Sequence, residues 1–234
     1  YLAETFRVSY QSLRFIRQSI DLDTFEFRSP DTRSKTDFVI ALTLPLRPSA
    51  GYETFLTGMV KATRIIPNMK ILIADNLPQS QYQYKKDLVL FIRGLGLSRY
   101  VDFFNASRLD LSIAARCNIV VVPCSKEAAC TRPLLEAFAY GTPVIANRVA
   151  GIAEMIHDTT TGILLPADDH NAFTEAVVAM LRDFARARTI AFAARRKVQE
   201  EHGLDRNAGD FIDVYQQAIR HKRVLIINLG TIGE

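Results

Sequence analysis

From Thr36 onward, short β-branched apolar runs alternate with stretches whose apolar residues recur at helical spacing. That is the rhythm of parallel strands joined by crossover helices. The runs at 37–43, 70–75, 100–104, 118–123, 143–147 and 162–165 read as six strands. Between them Phe55, Met59, Thr63 and Ile66 share one helical face, as do Leu88, Phe91, Ile92 and Leu95. Further on, Phe173, Ala176, Val177, Met180, Leu181 and Phe184 form a stripe, and Phe211, Tyr215 and Ala218 another, so the C-terminal third is expected to be helical. Strands such as FVIAL, KILIA and NIVVV are apolar throughout, the pattern of strands covered on both faces. The expected fold is therefore α/β: a Rossmann-like, doubly wound parallel sheet flanked by helices, whose ligands sit beyond the carboxyl ends of the strands.

The two ends depart from this rhythm. Residues 29–35 (SPDTRSK) are polar, contain Pro30 and read as a linker after a segment with one candidate strand near 13–17. Residues 224–229 read as a new strand followed at once by Gly230-Thr231-Ile232-Gly233. The expected organisation is the end of a preceding domain and a linker over 1–35, a Rossmann-like α/β domain over 36–221, and the start of a further domain or a crossover strand over 222–234. The first residue is Tyr1, not Met, and the chain is expected to be a piece of a longer protein.

Composition narrows the function classes. Of 234 residues, 48% are hydrophobic and 23% charged, which excludes wholesale disorder and a fibrous repeat. The apolar runs are far shorter than the roughly 18 residues a membrane span needs. A net charge of +4 is too small to argue for nucleic acid. Cys117, Cys124 and Cys130 form no CxxC pair, so they fit small buried hydrophobes in a reducing, cytoplasmic compartment. The four histidines show no metal-ligand spacing, and no metal or cofactor is expected. The basic residues Arg182, Arg186, Arg188, Arg195, Arg196 and Lys197 read as a solvated helix face, with contact to anionic lipid at the inner face of a membrane as the alternative.

Candidate chemistry concentrates between Pro123 and Pro166. A strand ends, a polar loop follows, and a helix opens near Thr131-Arg132-Pro133 with proline in the first turn. Free first-turn amides, the helix dipole and the Arg132 guanidinium together favour a phosphate. Glu136, one turn further in, suits the hydroxyls of a ribose. Spacing alone favours the plainer reading, a carboxylate that complements the helix dipole and an arginine in water, since every α/β domain has such helix starts.

The string LLEAFAYGTPVIANRVAGIAEMIHDTTTGILLPADD resembles the donor-binding region of the family-4 glycosyltransferases, retaining enzymes of GT-B architecture with the pattern E-x7-E-A-x-A-x-G-x-P-V-I-A, then G-G-x-x-E, then G-x-L. Ser19-Ile20-Asp21-Leu22-Asp23-Thr24-Phe25 is similar to that family's interdomain segment, and Gly94-Leu95-Gly96-Leu97 with Val101-Asp102-Phe103 to its G-L-x-x-x-V-x-F stretch. The resemblance spans residues 18–220, the donor-binding half of such an enzyme. It implies that the loop at Phe104 and Asn105 lies near the nucleotide base. It also implies that a glutamate before Glu136 contacts the donor sugar.

Three departures qualify it. The first glutamate of the pattern falls on Ala128, with Glu127 one residue early. Aligned on Gly51, the family's diphosphate-binding Arg and Lys fall on Pro45 and Ala50, which leaves Arg47 and Arg132 as substitutes. Ala150 replaces the first glycine of G-G-x-x-E, which is acceptable where φ stays negative.

The expected function is transfer of a sugar from a nucleotide-diphosphate donor to a carbohydrate or lipid-linked acceptor, with retention implied by the resemblance and acceptor contacts supplied by a missing N-terminal half. Glu127 and Arg132 are the candidate catalytic residues. Arg47, Asn105, Thr131, Arg132, Leu134, Leu135 and Glu136 are the candidate donor-binding residues, with Leu134 and Leu135 acting through their amides. The alternatives are a non-catalytic nucleotide-sugar-binding or scaffolding domain with a decayed site and, behind it, a sugar-nucleotide epimerase.

Overall fold

The computed structural model of the chain describes residues 14, 16–75, 82–104, 112–124 and 131–221. Six strands are present, each within one residue of its predicted run: β1 (Phe38–Leu42), β2 (Met69–Ala74), β3 (Val101–Phe104), β4 (Ile119–Val122), β5 (Val144–Asn147) and β6 (Ile163–Leu165). They pair in parallel in the order β3-β2-β1-β4-β5-β6, with β1 and β4 adjacent through Ile40↔Ile119 and Ala41↔Val120. The chain winds outward from β1 to β3, returns to the centre at β4 and winds out the other way. In sheets of this kind ligands bind beyond the carboxyl ends of the strands at the switch in strand order, here between β1 and β4.

The helices are α1 (Tyr52–Ile65), α2 (Tyr82–Gly94), α3 (Ser112–Arg116), α4 (Thr131–Tyr140), α5 (Ile152–Met155), α6 (His170–Arg182), α7 (Phe184–Glu201) and α8 (Leu204–His221). On α1 the predicted face is buried at Phe55, Met59 and Thr63, and it meets α6, where the rings of Phe55 and Phe173 stand edge-on with centroids 5.6 Å apart. The crossing is close because position 58 is glycine: a β-carbon there would lie 2.3 Å from the His170 carbonyl. Thr174 Oγ1 donates to the Gly58 carbonyl at 2.7 Å and locks the pair. The α6 helix begins where Asp169 accepts from the Ala172 amide at 2.9 Å, an N-cap bond worth about 1 kcal/mol.

All four residues of β4 are buried, as both-face coverage predicts. Each such aliphatic side chain contributes roughly 1.5–3 kcal/mol through its removal from water. Cys117 and Cys124 are buried, and burial pushes the Cys117 thiol up to about 12. Cys130 lies outside the described residues, as do the expected strand at 224–229 and the glycine turn after it. Near 13–17, Arg14, Ile16 and Arg17 form no strand, while residues 13 and 15 are outside the described set. On α8 the apolar stripe is only partly covered: Ala218 is buried, but Tyr215 and Ile219 face solvent.

The segment read as a polar linker is bound tightly to the domain. Within it Pro30–Thr32 makes a 3-10 turn, and the next residue, Arg33, is buried at the amino edge of the sheet. Its Nη1 donates to the Cys117 carbonyl at 2.7 Å, and its Nη2 reaches the carbonyls of Arg28 and Gly141 at 3.1 Å and Thr142 Oγ1 at 2.8 Å. Burial lowers the Arg33 pKa to about 10, so the group stays charged at neutral pH. Composition alone misses this because a polar run looks the same whether its arginine is solvated or holding carbonyls.

Most of the basic stretch is used internally. Arg188 pairs with Asp31 at 3.3 Å, Arg195 donates to the Ala139 carbonyl at 2.6 Å, and Arg196 and Lys197 face Glu200 and Glu201. Among the described residues no helix is long and apolar enough to cross a membrane.

Candidate functional site at the carboxyl edge

Beyond the carboxyl ends of β1, β4 and β5 three chain segments meet. The first is the loop from Thr43 to Gly51 that leaves β1. Leu44 and Leu46 are buried and pin it down, and the Tyr52 hydroxyl donates to the Leu44 carbonyl at 2.6 Å. Arg47 precedes a 3-10 turn over Pro48–Ala50 and is half-buried. Its Nε is sealed from solvent without a hydrogen-bond partner among the described residues, and Thr43 Oγ1 is in the same condition. Ala50, where the resemblance places a lysine, is buried, and Pro45, where it places an arginine, is exposed.

The second segment is the exit from β4 through Pro123 and Cys124. Gly51 sits against it at φ 74°, so close that a β-carbon would lie 1.7 Å from the Pro123 carbonyl oxygen. Only glycine satisfies both the left-handed backbone and the contact. The third is the end of β5, where Asn147 Nδ2 donates to the same Pro123 oxygen at 3.0 Å. Asn147 is wholly buried, and its Oδ1 has no partner among the described residues.

The chain re-enters the described set at Thr131, the first residue of α4, as the proline in TRP predicted. Helix geometry leaves the N–H groups of Thr131 and Arg132 without an intrahelical acceptor. Pro133 has none to offer, and Leu135 lies one turn in, where its N–H points at the Thr131 carbonyl. By helix geometry, the first-turn N–H groups without an intrahelical acceptor are those of Thr131 and Arg132, with Leu134 at the boundary. The side chains of Leu134 and Leu135 are core, fully buried beneath the helix. Thr131 Oγ1 donates to Gln18 Oε1 at 2.5 Å, tying the helix start to the incoming chain.

Arg132 and Glu136 are in direct contact with each other. Arg132 Nε donates to Glu136 Oε1 at 2.8 Å, an i,i+4 pair in which the arginine side chain is 63% exposed and the glutamate 10%. Burial pushes the Glu136 carboxyl up from its ordinary range, and the Arg132 hydrogen bond and charge pull the other way. The pair leaves Glu136 Oε2 with no hydrogen bond from the described residues. It also cancels the carboxylate charge that would repel a nearby phosphate.

Asn105 and Glu127 lie outside the described residues. Ala150 keeps φ negative, as its methyl requires, while Gly151 beside it adopts φ 80°. Sequence reasoning missed Thr43 and Asn147. Their signal was a polar residue closing an otherwise apolar strand, in FVIALT and VIAN. At the opposite, amino edge a cavity of about 480 Å³ is lined by Thr24, Glu26, Arg28, Ala115, Arg116 and Tyr140, well away from this cluster.

Residues 23–197 match the family model "Glycosyl transferases group 1". A D-inositol 3-phosphate glycosyltransferase of Salinispora tropica is 25% identical over 237 aligned positions, covering 92% of this chain and 48% of its own length. The chain thus spans about half of that curated relative. A glycosyltransferase of Rickettsia africae superposes with a TM-score of 0.82 at 15% identity, over 94% of this chain and 60% of that one. Anabaena HepE, solved in complex with UDP and glucose, gives 0.79 at 20% identity, over 87% and 57%.

Proposed function

The chain belongs to the group 1 glycosyl transferases, and from that premise we propose that its carboxyl edge binds a nucleoside-diphosphate sugar for transfer to a carbohydrate or lipid-linked acceptor. One observation carries the assignment of the site. Arg47 presents a guanidinium N–H sealed from water and lacking an acceptor. It does so in the loop that leaves β1, against the exit of β4 on the way to α4, where helix geometry leaves the Thr131 and Arg132 N–H groups without an intrahelical acceptor. Donors without acceptors, brought to the carboxyl edge by neighbouring segments at the switch in strand order, fit an anion, and a diphosphate supplies one.

In this reading the α4 amino end and Arg47 hold the diphosphate and stabilise the charge that builds on it as the sugar bond breaks. Preorganised donors of this kind are often the largest catalytic contribution. Glu136 accepts from the ribose hydroxyls through Oε2, while Arg132 holds Oε1 and offsets its charge. Asn105 near the base and Glu127 at the sugar follow from the resemblance, as does retention at the anomeric carbon. Acceptor contacts belong to polypeptide beyond the described domain, since the relative is about twice as long.

A thermal-shift panel of uridine, guanosine, adenosine and thymidine diphosphate sugars tests the site. One of them should raise Tm, because a ligand at about 100 times its Kd adds about 2.7 kcal/mol to stability. No shift with any of the four would remove the donor site. A second reading, a binding domain whose catalytic cations have decayed, is favoured by Pro45 and the buried Ala50. Donor binding with neither hydrolysis nor transfer by the full-length protein would select it.

A further inference from the structure

Asn147 closes β5 after three apolar residues and is fully buried, a position where leucine or valine would ordinarily serve the core. Its Nδ2 bond to the Pro123 carbonyl at 3.0 Å is matched by an Oδ1 that no described residue satisfies. The cost of sealing a lone acceptor is comparable to or larger than what one hydrogen bond returns. For the fold alone, this side chain is a poor choice. Such local violations are expected where a residue serves a site.

The bond is made to a particular carbonyl. Pro123 is the first residue beyond β4, the point at which the backbone leaves the sheet on its way to α4. The same oxygen is met by Gly51, at the end of the loop that carries Arg47. One carbonyl is thus held by β5 through Asn147 and crowded by the β1 loop through Gly51. That carbonyl is therefore a junction of the loop carrying Arg47, the exit of β4 and the end of β5.

The geometry points to Asn147 as a positioning residue for the diphosphate site: by fixing the Pro123 carbonyl from the β5 side it sets the distance between the Arg47 loop and the first-turn amides of α4. The inference rests on the donor-site reading above and adds to it a residue that touches no substrate. Phosphate donors tolerate little misplacement, since an error of about 1 Å costs up to roughly a hundredfold in function. A partial loss of registry, about tenfold in affinity, is the expected consequence of releasing the carbonyl.

The test compares the unmodified chain with Asn147→Leu, Asn147→Val and Arg47→Ala. Uridine diphosphate and guanosine diphosphate serve as probes, read by calorimetric titration, by Tm and by the ³¹P resonances of the bound nucleotide. Asn147→Leu removes both the carbonyl bond and the unsatisfied acceptor. Its Tm should stay within about 3 °C of the parent or rise, its affinity should fall about tenfold, and the bound β-phosphorus signal should move. A change of environment at the phosphorus is something a purely structural asparagine would not produce in a chain of unchanged stability.

If Arg47→Ala weakens binding and Asn147→Leu does not, the donor site stands and the positioning role is refuted. If the unmodified chain binds neither nucleotide, the donor site fails and takes this inference with it. If the leucine and valine variants both lose more than about 6 °C, Asn147 serves the fold and the inference is overturned.

Discussion

Glu136→Gln removes a charge and almost no volume, and the structure separates its effects on stability and on binding. In the folded chain the carboxylate is nearly out of water, and its one partner, Arg132, is mostly in it. An i,i+4 pair with one solvated end is worth only about 0.3–0.5 kcal/mol. Burial prevails and raises the folded pKa above the ordinary 4.5. A carboxyl with a raised folded pKa binds its proton more tightly in the folded state. Stability therefore falls as pH climbs from 4.5 through the folded value, and the penalty is complete above it. Glutamine carries no such penalty. The variant should melt at least as high as the parent at pH 7, with a flatter stability profile between about pH 4.5 and neutrality.

Ligand binding should move the other way. A carboxylate on ribose hydroxyls makes charge-assisted bonds of about 1.5–3 kcal/mol, and a neutral amide oxygen retains roughly 1 kcal/mol of that. The difference, about 0.5–2 kcal/mol, predicts a nucleotide affinity about two- to thirtyfold weaker. Arg132, released from its partner, adds positive charge to the diphosphate region, so inorganic pyrophosphate should bind as well or better. Calorimetric titration with nucleoside diphosphate and with pyrophosphate, alongside melting curves at pH 4.5, 6 and 7, reads all three quantities. Equal losses for both ligands, or unchanged nucleotide affinity, would refute the ribose assignment. A lower Tm at pH 7 would refute the reasoning from burial.

Gly51→Ala should be among the more damaging single-atom additions. Alanine at φ 74° costs about 1–2 kcal/mol, and its methyl would meet the Pro123 carbonyl at 1.7 Å, which only backbone movement relieves. A total near 3 kcal/mol lowers Tm by roughly 6–12 °C, and a shift under about 2 °C in calorimetry would show that the two loops are not in contact. At His202, burial depresses the pKa below 6.5, with Lys197 and Arg17 acting in the same sense and the Gln18 carbonyl and Glu201 opposing. Its contribution is present above 6.5 and lost as pH falls through the folded value. His202→Gln should therefore remove part of the destabilisation seen between pH 7 and pH 5, and identical slopes in the two proteins would count against the assignment.

The periodic features of the chain were legible without coordinates. Apolar runs such as NIVVV and the stripe through Phe55, Met59 and Thr63 state their own secondary structure, because burial on two faces or on one helical stripe leaves its period in the local sequence. The opening of α4 at Thr131 was legible for the same reason, its proline being a local signal. The Arg132–Glu136 pair lay within reach of the same reading, since it joins residues four apart on one helix. What needed the tertiary structure was the company each polar group keeps. Arg33 looks like any linker arginine until carbonyls from residues 28, 117 and 141 gather round it. Asn147 looks like the end of a strand until β4 delivers Pro123 to its amide and the β1 loop brings Gly51 to the same oxygen. Period is a property of neighbours along the chain and is written there. Satisfaction or orphaning of a polar atom depends on segments 24 to 108 residues apart arriving at one place, and only the folded sheet decides that.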